Sequence, residues 1–157
     1  TQAFLPHLHR ADEGHVVNIS SVFGLVSIPG QSAYNSAKFA VRGFSDALRM
    51  ELEIEKANVS VTTIHPGGIK TNIVNSGRRD DTVRAIGQDP DDMQDEFDKF
   101  AVSSPEKAAR QILKAVERNR RRALIGPDAK LFDIASRLPA GLYQRFLISS
   151  ARRELNR

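Results

Sequence analysis

The chain has 157 residues, of which 40% are hydrophobic and 27% charged, and this length and composition suit one globular domain. It contains no cysteine, which excludes disulfide bonds and thiolate chemistry and fits a reducing compartment, so we expect a cytoplasmic protein. No run of about 18 apolar residues occurs, and the sequence therefore predicts no membrane-spanning helix.

The net charge of +4 is unevenly distributed. Residues 80–100 contain eight acidic side chains against Arg84 and Lys99, a net charge of −6, whereas residues 101–157 carry +8. A basic C-terminal region could bind nucleic acid or an anionic membrane surface. Its arginines alternate with apolar residues at helical spacing, so the favoured interpretation is a solvated helical face without a nucleic-acid partner.

The first third of the chain predicts one strand between two helical segments. Residues 1–11 are typical of the end of a helix, and His15–Ile19 is a short apolar run typical of a buried parallel strand. Residues 20–32 contain Gly24, Pro29 and Gly30, which indicates a loop. A long helix follows from Ala33 to Lys56. We expect four of its apolar residues to face the core: Ala37, Val41, Phe44 and Leu48.

Strands and helices continue to alternate in the rest of the chain. Residues 59–64 predict a second strand, and an irregular polar region reaches about Asp89 before a short helix over 91–100. Ser104 and Pro105 have the marks of a helix start, and that helix reaches about Asn119. A third strand over 122–126 precedes helical residues with a break at 138–141. This alternation predicts an α/β fold, a parallel sheet covered on both faces.

Tyr34 and Lys38 are four residues apart at the start of the long helix, so their side chains lie on one helix face. A free tyrosine titrates near pH ~10, and an ammonium group one turn away favours its phenolate. The pair could therefore donate and accept a proton near neutral pH. Taken alone, the commoner interpretation is a packed tyrosine beside a surface lysine.

Two further segments change that interpretation. Ser21 precedes Tyr34 by thirteen residues, and Pro66-Gly67 follows the second strand, where ligands bind in parallel sheets. With Ser21, Tyr34, Lys38 and Pro66-Gly67 in this order and spacing, the chain resembles the short-chain dehydrogenase/reductase family. The resemblance covers residues 1 to about 126 and corresponds to the second half of a family member.

The resemblance implies a domain organisation. Residues 1–157 would form the C-terminal part of one NAD(P)-binding, Rossmann-like doubly wound domain, with about 1–126 carrying the sheet and the catalytic segment. Residues 127–157 would be a C-terminal helical extension. The family's Gly-x-x-x-Gly-x-Gly dinucleotide loop and its fourth catalytic residue, an asparagine, are not found in this sequence and are expected upstream of Thr1.

The resemblance also implies an NAD- or NADP-dependent oxidoreductase that interconverts a secondary alcohol and a carbonyl compound. Tyr34 would be its acid and base, Lys38 would also bind the nicotinamide ribose, and Ser21 would orient the substrate oxygen. We expect the neighbouring Ser20 to bond backbone instead. The choice between NAD and NADP stays open.

Residues 66–71 resemble the family's nicotinamide loop, although a plain turn is the simpler interpretation of the segment alone. Pro66 would fix the turn, and Gly67 would let the backbone approach the flat ring. The backbone near Ile69 and the hydroxyl of Thr71 would bind the carboxamide. No histidine pattern predicts a metal site, and His65 is interpreted as a hydrogen-bonded residue at the strand end.

The predicted substrate pocket is apolar, which indicates a hydrophobic alcohol or ketone. Beside Ser21 and Tyr34, it would be lined by residues 72–98 and by four side chains: Val22, Phe23, Val26 and Ile28. We expect residues 72–98 to be mobile and to cover the substrate as a lid. Asn18 is expected to be structural, and Asn35, about 100° from Tyr34 around the helix, is assigned no role.

The apolar residues of the long helix outside its core stripe bear on assembly. They are Ala40, Ala47, Met50 and Ile54. Family resemblance implies that this helix pairs with its two-fold copy in a homodimer or homotetramer. Two other functions stay open: a non-catalytic relative that serves as an interaction or structural module, and, ranked last, a polyanion or membrane-surface binder.

Overall fold

The computed structural model describes residues 1–77 and 81–155. Its six helices and three strands alternate as the sequence predicts, including the break before the last helix. Within the described residues the elements are α1 (Leu5–Arg10), β1 (Gly14–Ile19), α2 (Ser32–Ile54), β2 (Val59–Pro66), α3 (Met93–Phe100), α4 (Pro105–Glu117), β3 (Arg122–Ile125), α5 (Pro127–Ala135) and α6 (Ala140–Leu155). Short 3₁₀ turns at Val22–Gly24 and Asp81–Ile86 interrupt segments that the sequence predicts to be irregular.

The three strands form one parallel sheet in the order β1-β2-β3, which confirms the predicted α/β fold. Gly14 pairs with Val59 at one end of the sheet, and Ile19 pairs with Ile64 near the other. Pro66, the last residue of β2, pairs with Ile125 of β3. The register brings the segments that follow the strands to the same edge of the sheet, where ligands bind in such folds.

Both faces of the central strand β2 are covered. Val59 and Val61 pack against Leu48 and Leu52 of α2. Ile64 packs instead in a second cluster with Ala108 of α4 and Ile125 of β3. Because successive side chains of a strand point to opposite faces, α2 and α4 cover opposite faces of the sheet.

Strand β1 is covered less completely on the side of α4. Val17 and Ile19 are 37% and 47% exposed. They pair in register with Thr62 and Ile64, so they lie on the same face as the α4 cluster. The predicted covering of both faces therefore holds for β2 but not for β1 within the described residues.

The core face of α2 differs from the predicted stripe. Leu48 is buried as expected, but Ala37 is exposed, Phe44 is 51% exposed and Val41 is only half-buried. The residues that are buried are Asn35, Ser45, Leu48, Arg49 and Leu52. The prediction was wrong because it ranked positions by hydrophobicity, whereas three of these buried side chains are polar and hydrogen-bonded.

Arg49 and Ser45 show how α2 satisfies its buried polar groups. Arg49 donates from Nη1 to the carbonyl oxygen of Val61 at 2.6 Å and from Nε to Glu53 at 3.0 Å. Ser45 donates to the carbonyl of Val41 at 2.7 Å and accepts from Nδ2 of Asn18 at 2.8 Å. The structural role expected for Asn18 is confirmed, since this bond ties β1 to α2.

The acidic segment before α4 is organised around one arginine. Arg84 forms ion pairs with Asp81, Asp89 and Asp91 at 3.4, 2.9 and 3.7 Å. Residues 78–80 of the predicted lid lie outside the described residues, so the lid remains a prediction.

Ser104 caps α4 as expected, accepting a hydrogen bond from the backbone N–H of Lys107 at 3.3 Å. None of the helices in the described ranges is long and apolar enough to cross a membrane.

Candidate active site

The end of β1 is bonded directly to the helix that carries Tyr34 and Lys38. Ser20 is 2% exposed, and its hydroxyl donates a hydrogen bond of 2.8 Å to the carbonyl oxygen of Lys38. Gly24 packs at the same place: a Cβ there would lie 2.3 Å from Oγ of Ser20 and 2.8 Å from the Lys38 carbonyl oxygen. A side chain at position 24 would thus separate the turn from α2. The backbone bond predicted for Ser20 is confirmed, with α2 as its partner.

Ser21 caps the 3₁₀ turn. Its Oγ accepts from the backbone N–H of Phe23 at 3.1 Å. The hydrogen bonds among the described residues use this oxygen as an acceptor, which leaves the hydroxyl hydrogen available to another group. Ser20 differs, because its own hydroxyl hydrogen is already used by Lys38.

His65 forms a hydrogen bond with the backbone of Ser21. The side chain is fully buried, and Nδ1 lies 2.8 Å from the carbonyl oxygen of Ser21. A carbonyl can only accept, so Nδ1 carries the hydrogen. Burial lowers the pKa of His65 below its ordinary value, which keeps the ring neutral. The predicted hydrogen-bonded histidine at the strand end is confirmed.

Lys38 lies between the end of β1 and the ring of Tyr34. Its Nζ is 5.4 Å from the centroid of that ring and donates to the carbonyl oxygen of Ile19 at 3.2 Å. Burial lowers the pKa of the Lys38 ammonium. An ammonium group has three donors, and the contacts made with described residues use one of them. Two donors can therefore reach further groups.

The loop after β2 is fixed through three of its backbone N–H groups, which bond to other segments. The N–H of Gly67 bonds to the carbonyl of Ile125 at 2.9 Å, and the N–H of Lys70 bonds to the carbonyl of Ser103 at 2.9 Å. The N–H of Gly68 bonds to the carboxylate of Asp128 at 2.7 Å. Between these fixed groups, the backbone N–H and C=O of Ile69 make no hydrogen bond to any described residue. A ligand at this edge would therefore meet one unpaired donor and one unpaired acceptor. Thr71, the last predicted cofactor residue, is exposed, and Pro66 is half-buried.

Four aromatic rings form a row that begins at Tyr34. The centroid of Phe23 lies 6.3 Å from that of Tyr34, edge to face. Phe132 of α5 is 5.9 Å from Phe23, and Phe100 of α3 is 6.0 Å from Phe132. Phe132 and Phe100 were not predicted, because nothing in the local sequence marks residues so distant in the chain as belonging to a row that begins at Tyr34.

The other predicted substrate residues divide by burial. Val22 and Val26 are each 2% exposed and lie in the core, whereas the ring of Phe23 contacts the ring of Tyr34. Ile28 is half-buried and lines a groove of about 600 Å³ with Phe39 of α2 and Leu147 of α6.

Asn35 also has a function that sequence analysis missed. Its Nδ2 donates to the carbonyl oxygen of Ile28 at 2.8 Å, and the side chain is 6% exposed. The prediction that it has no role was wrong, since it holds the 27–31 loop against the start of α2. The signal was present in its position, because Asn35 lies about 100° from Tyr34 around the helix, on a side of α2 that is buried. No group of three His, Asp or Glu side chains in the described part of the chain could hold a metal ion.

Comparison with known proteins places the chain in a family. The sequence model of the short chain dehydrogenases matches residues 1–82. The chain belongs to the short-chain dehydrogenase family. It is 47% identical over 148 residues to SadH of Mycobacterium tuberculosis, a protein named as an oxidoreductase, and the match covers 94% of this chain and 52% of SadH. The chain spans about half the length of the curated relatives it matches.

Solved short-chain dehydrogenase structures have the same fold. One from Burkholderia phymatum, in complex with NAD, has a TM-score of 0.71 and 23% identity, covering 87% of this chain and 50% of its own. One from Burkholderia cenocepacia, in complex with NADP, has a TM-score of 0.68 and 18% identity, covering 93% and 52%. The chain is therefore Rossmann-like and corresponds to about half of these domains.

Proposed function

We propose that this chain is the catalytic C-terminal part of an NAD- or NADP-dependent oxidoreductase that interconverts a secondary alcohol and a carbonyl compound. The observation that carries the proposal is the position of Lys38, whose Nζ lies 5.4 Å from the Tyr34 ring centroid while it bonds to the end of β1. A tyrosine beside a partly buried ammonium group is suited to proton transfer near neutral pH. Family membership supports the same reaction class.

The residues present fit a nicotinamide cofactor. Ile69 offers an N–H and a C=O that pair with no described residue and that match the acceptor and donor of a carboxamide. We assign the carboxamide to Ile69 and Thr71, the face of the ring to Pro66 and Gly67, and the ribose hydroxyls to Lys38 and Tyr34. When bound, the cofactor supplies or accepts the hydride. NAD and NADP complexes of the structural neighbours are compatible with either dinucleotide.

The protein residues then handle the proton and the substrate oxygen. In the reducing direction, Tyr34 gives its phenolic proton to the oxygen as the carbonyl becomes a hydroxyl; in the oxidising direction it takes that proton back. Lys38 stabilises the phenolate that is left. Ser21 donates its uncommitted hydroxyl hydrogen to the same oxygen and holds it near Tyr34. His65 keeps Ser21 in place through its backbone carbonyl.

We further infer an apolar substrate. Phe23, Phe132 and Phe100 extend from Tyr34 in edge-to-face contact, so the surface next to the reacting group is aromatic. Aromatic surface favours ligands with an apolar body. A hydrophobic secondary alcohol or ketone is the substrate class that this wall fits.

Two finer proposals complete this function. We place the protein in the cytoplasm, in keeping with a sequence without cysteine. We also propose a homodimer or homotetramer formed through α2, on which Met50 and Ile54 are 55% and 81% exposed.

Replacement of Tyr34 by phenylalanine tests the proposed reaction. In the full-length protein that carries this chain, Tyr34→Phe should lower kcat by about 100-fold or more, because the ring still packs but no proton can be transferred. Cofactor affinity should stay close to that of the unsubstituted protein. Tyr143→Phe, on α6, is the matched control and should leave kcat unchanged. A kcat of Tyr34→Phe within a few-fold of the unsubstituted protein would contradict the proposal. If the unsubstituted protein bound cofactor but reduced no ketone, a non-catalytic relative would be the better description.

A further inference from the structure

The carboxylate of Asp128 lies under the loop that carries Ile69. Asp128 is the second residue of α5, sixty positions along the chain from Gly68, and its Oδ2 accepts the N–H of Gly68 at 2.7 Å. Its Oδ1 is buried and has no hydrogen-bond partner among the described residues. Asp128 as a whole is half-buried, and burying one unpaired carboxylate oxygen has a cost that the charge-assisted bond from Gly68 to the other oxygen helps to offset.

Glycines make the space that this carboxylate occupies. A Cβ on Gly67 would lie 1.9 Å from Oδ2 of Asp128, and a Cβ on Gly126 would lie 2.6 Å from Oδ1. Real side chains do not approach so closely, so residues 67 and 126 must lack a side chain while Asp128 is in place. The N-terminal end of α5 also favours a negative charge at this position.

The other side of the loop is held independently. Ser103 bonds to Lys70 and to Gly68 through its backbone, at 2.9 and 3.2 Å. The side chain of Ile69 packs in the cluster around Ile64. With its neighbours fixed in this way, the backbone of Ile69 has one orientation, and the Asp128 carboxylate is the only side-chain group among these described bonds that sets it.

We propose that Asp128 is a positioning residue for the nicotinamide end of the cofactor. It acts through Gly68, by holding the loop so that the N–H and C=O of Ile69 stay aimed at the carboxamide. The inference rests on the proposed function, because it presupposes that a nicotinamide dinucleotide binds at this edge of the sheet. It concerns one half of that ligand and leaves the adenosine half to other residues.

The test compares two ligands that differ only at the nicotinamide. Dissociation constants are measured in the full-length protein for the oxidised dinucleotide and for ADP-ribose, or for their 2′-phosphates if NADP is preferred. Loss of a hydrogen bond to a charged group should weaken dinucleotide binding by about tenfold or more in Asp128→Ala. Affinity for ADP-ribose should be unchanged, so the ratio of the two constants should move towards one.

Two more variants separate positioning from folding. Asp128→Asn keeps an oxygen that can accept the Gly68 N–H, and it should restore most of the ratio even if Asp128→Ala folds poorly. Asp133→Asn, on the same helix and paired with Arg137 at 2.8 Å, is the matched control and should leave the ratio unchanged. A reduced cofactor that carries deuterium on one face of the nicotinamide ring gives a second readout. The unsubstituted protein should transfer hydride from one ring face, whereas Asp128→Ala should transfer it from both.

The outcomes are distinguishable. An equal loss of dinucleotide and ADP-ribose affinity in Asp128→Ala, or an Asp128→Asn protein that folds but shows no restored ratio, would overturn the positioning role and leave the proposed function standing. Failure of the unsubstituted protein to bind either dinucleotide would overturn both.

Discussion

The hydroxyl of Ser20 donates to the carbonyl oxygen of Lys38 at 2.8 Å, whereas the hydroxyl hydrogen of its neighbour Ser21 is used by no described residue. The two serines should therefore respond differently to removal of the hydroxyl. Ser20→Ala should lower the free energy of unfolding by about 1 kcal/mol, because it removes the hydrogen bond between the end of β1 and the Lys38 carbonyl of α2. Ser21→Ala should mainly lower kcat. Urea unfolding and steady-state kinetics of both variants check this, and a larger kcat loss in Ser20→Ala would reverse the assignment.

Lys38→Met should raise the dissociation constant of the cofactor and also lower kcat, because in the proposed function one ammonium serves both the ribose and the tyrosine. Burial lowers the pKa of Lys38 below the ordinary ~10.4, so cofactor affinity should fall at a lower alkaline pH than an exposed lysine would give. Lys38→Met should lack this alkaline loss. Lys114→Met, exposed on α4, is the control. Unchanged cofactor affinity in Lys38→Met would remove the ribose contact from the mechanism.

His65 should make the protein less stable in mild acid. Its pKa in the fold is lower than the ~6.5 of the unfolded chain, so below that pH the unfolded state binds more protons. The free energy of unfolding should thus decrease as pH falls below about 6.5. His15, whose pKa burial also lowers, contributes in the same direction. In His65→Gln the dependence should be shallower but not absent, as measured by urea unfolding at pH 7.5 and 5.5. An unaltered slope would contradict the assignment.

Phe132→Ala should discriminate between substrates of different size. Removing the ring that contacts Phe23 should lower kcat/KM for a long or cyclic ketone by about tenfold. This factor corresponds to the free energy gained when one apolar side chain is buried. Acetone, which is too small to reach Phe132, should be turned over as before. Phe146→Ala, at a 73% exposed position on α6, is the matched control. Equal losses for acetone and the large ketone would mean that Phe132 supports the fold rather than the substrate.

A charge on the exposed side of α2 should dissociate the proposed oligomer. Met50 is 55% exposed, and Met50→Asp would place a carboxylate in an apolar helix–helix interface. Sedimentation equilibrium at micromolar concentration should show the full-length protein as a dimer or tetramer and the variant as a monomer. Leu113→Asp, at a 62% exposed position on α4, should leave the assembly unchanged. A monomeric unsubstituted protein would contradict the proposal directly.

Local patterns in the sequence were sufficient for the elements and for the Tyr34–Lys38 pair. Short apolar runs predicted the three described strands. Ser104 followed by Pro105, a hydroxyl cap and then a proline, predicted the start of α4. The predicted core face of α2 failed where Asn35, Ser45 and Arg49 replaced apolar residues, because their partners lie on other elements. A hydrophobic pattern cannot show that the carbonyl of Val61 accepts a hydrogen bond from the buried guanidinium of Arg49.

The candidate site could be proposed from the sequence where its residues follow one another closely, but not where α5 returns to it. Asp128 meets Gly68, and Phe132 meets Phe23, only because β3 aligns with β2 and directs α5 across the end of the sheet. Neither side chain has a distinguishing neighbour in the sequence. Contacts of this kind depend on the register of the sheet, which the strand pattern alone does not fix.

The outer edge of β1 has a practical consequence for handling this polypeptide. In the described sheet this strand pairs only with β2, and it also presents Val17 and Ile19 to solvent. An open strand edge beside an apolar surface is a template for pairing with another chain, the usual origin of β-type aggregation. Residues 1–157 expressed alone should therefore precipitate readily. A separately produced segment that adds a strand at this open edge of β1 should keep residues 1–157 in solution. The two polypeptides together would then form a split protein.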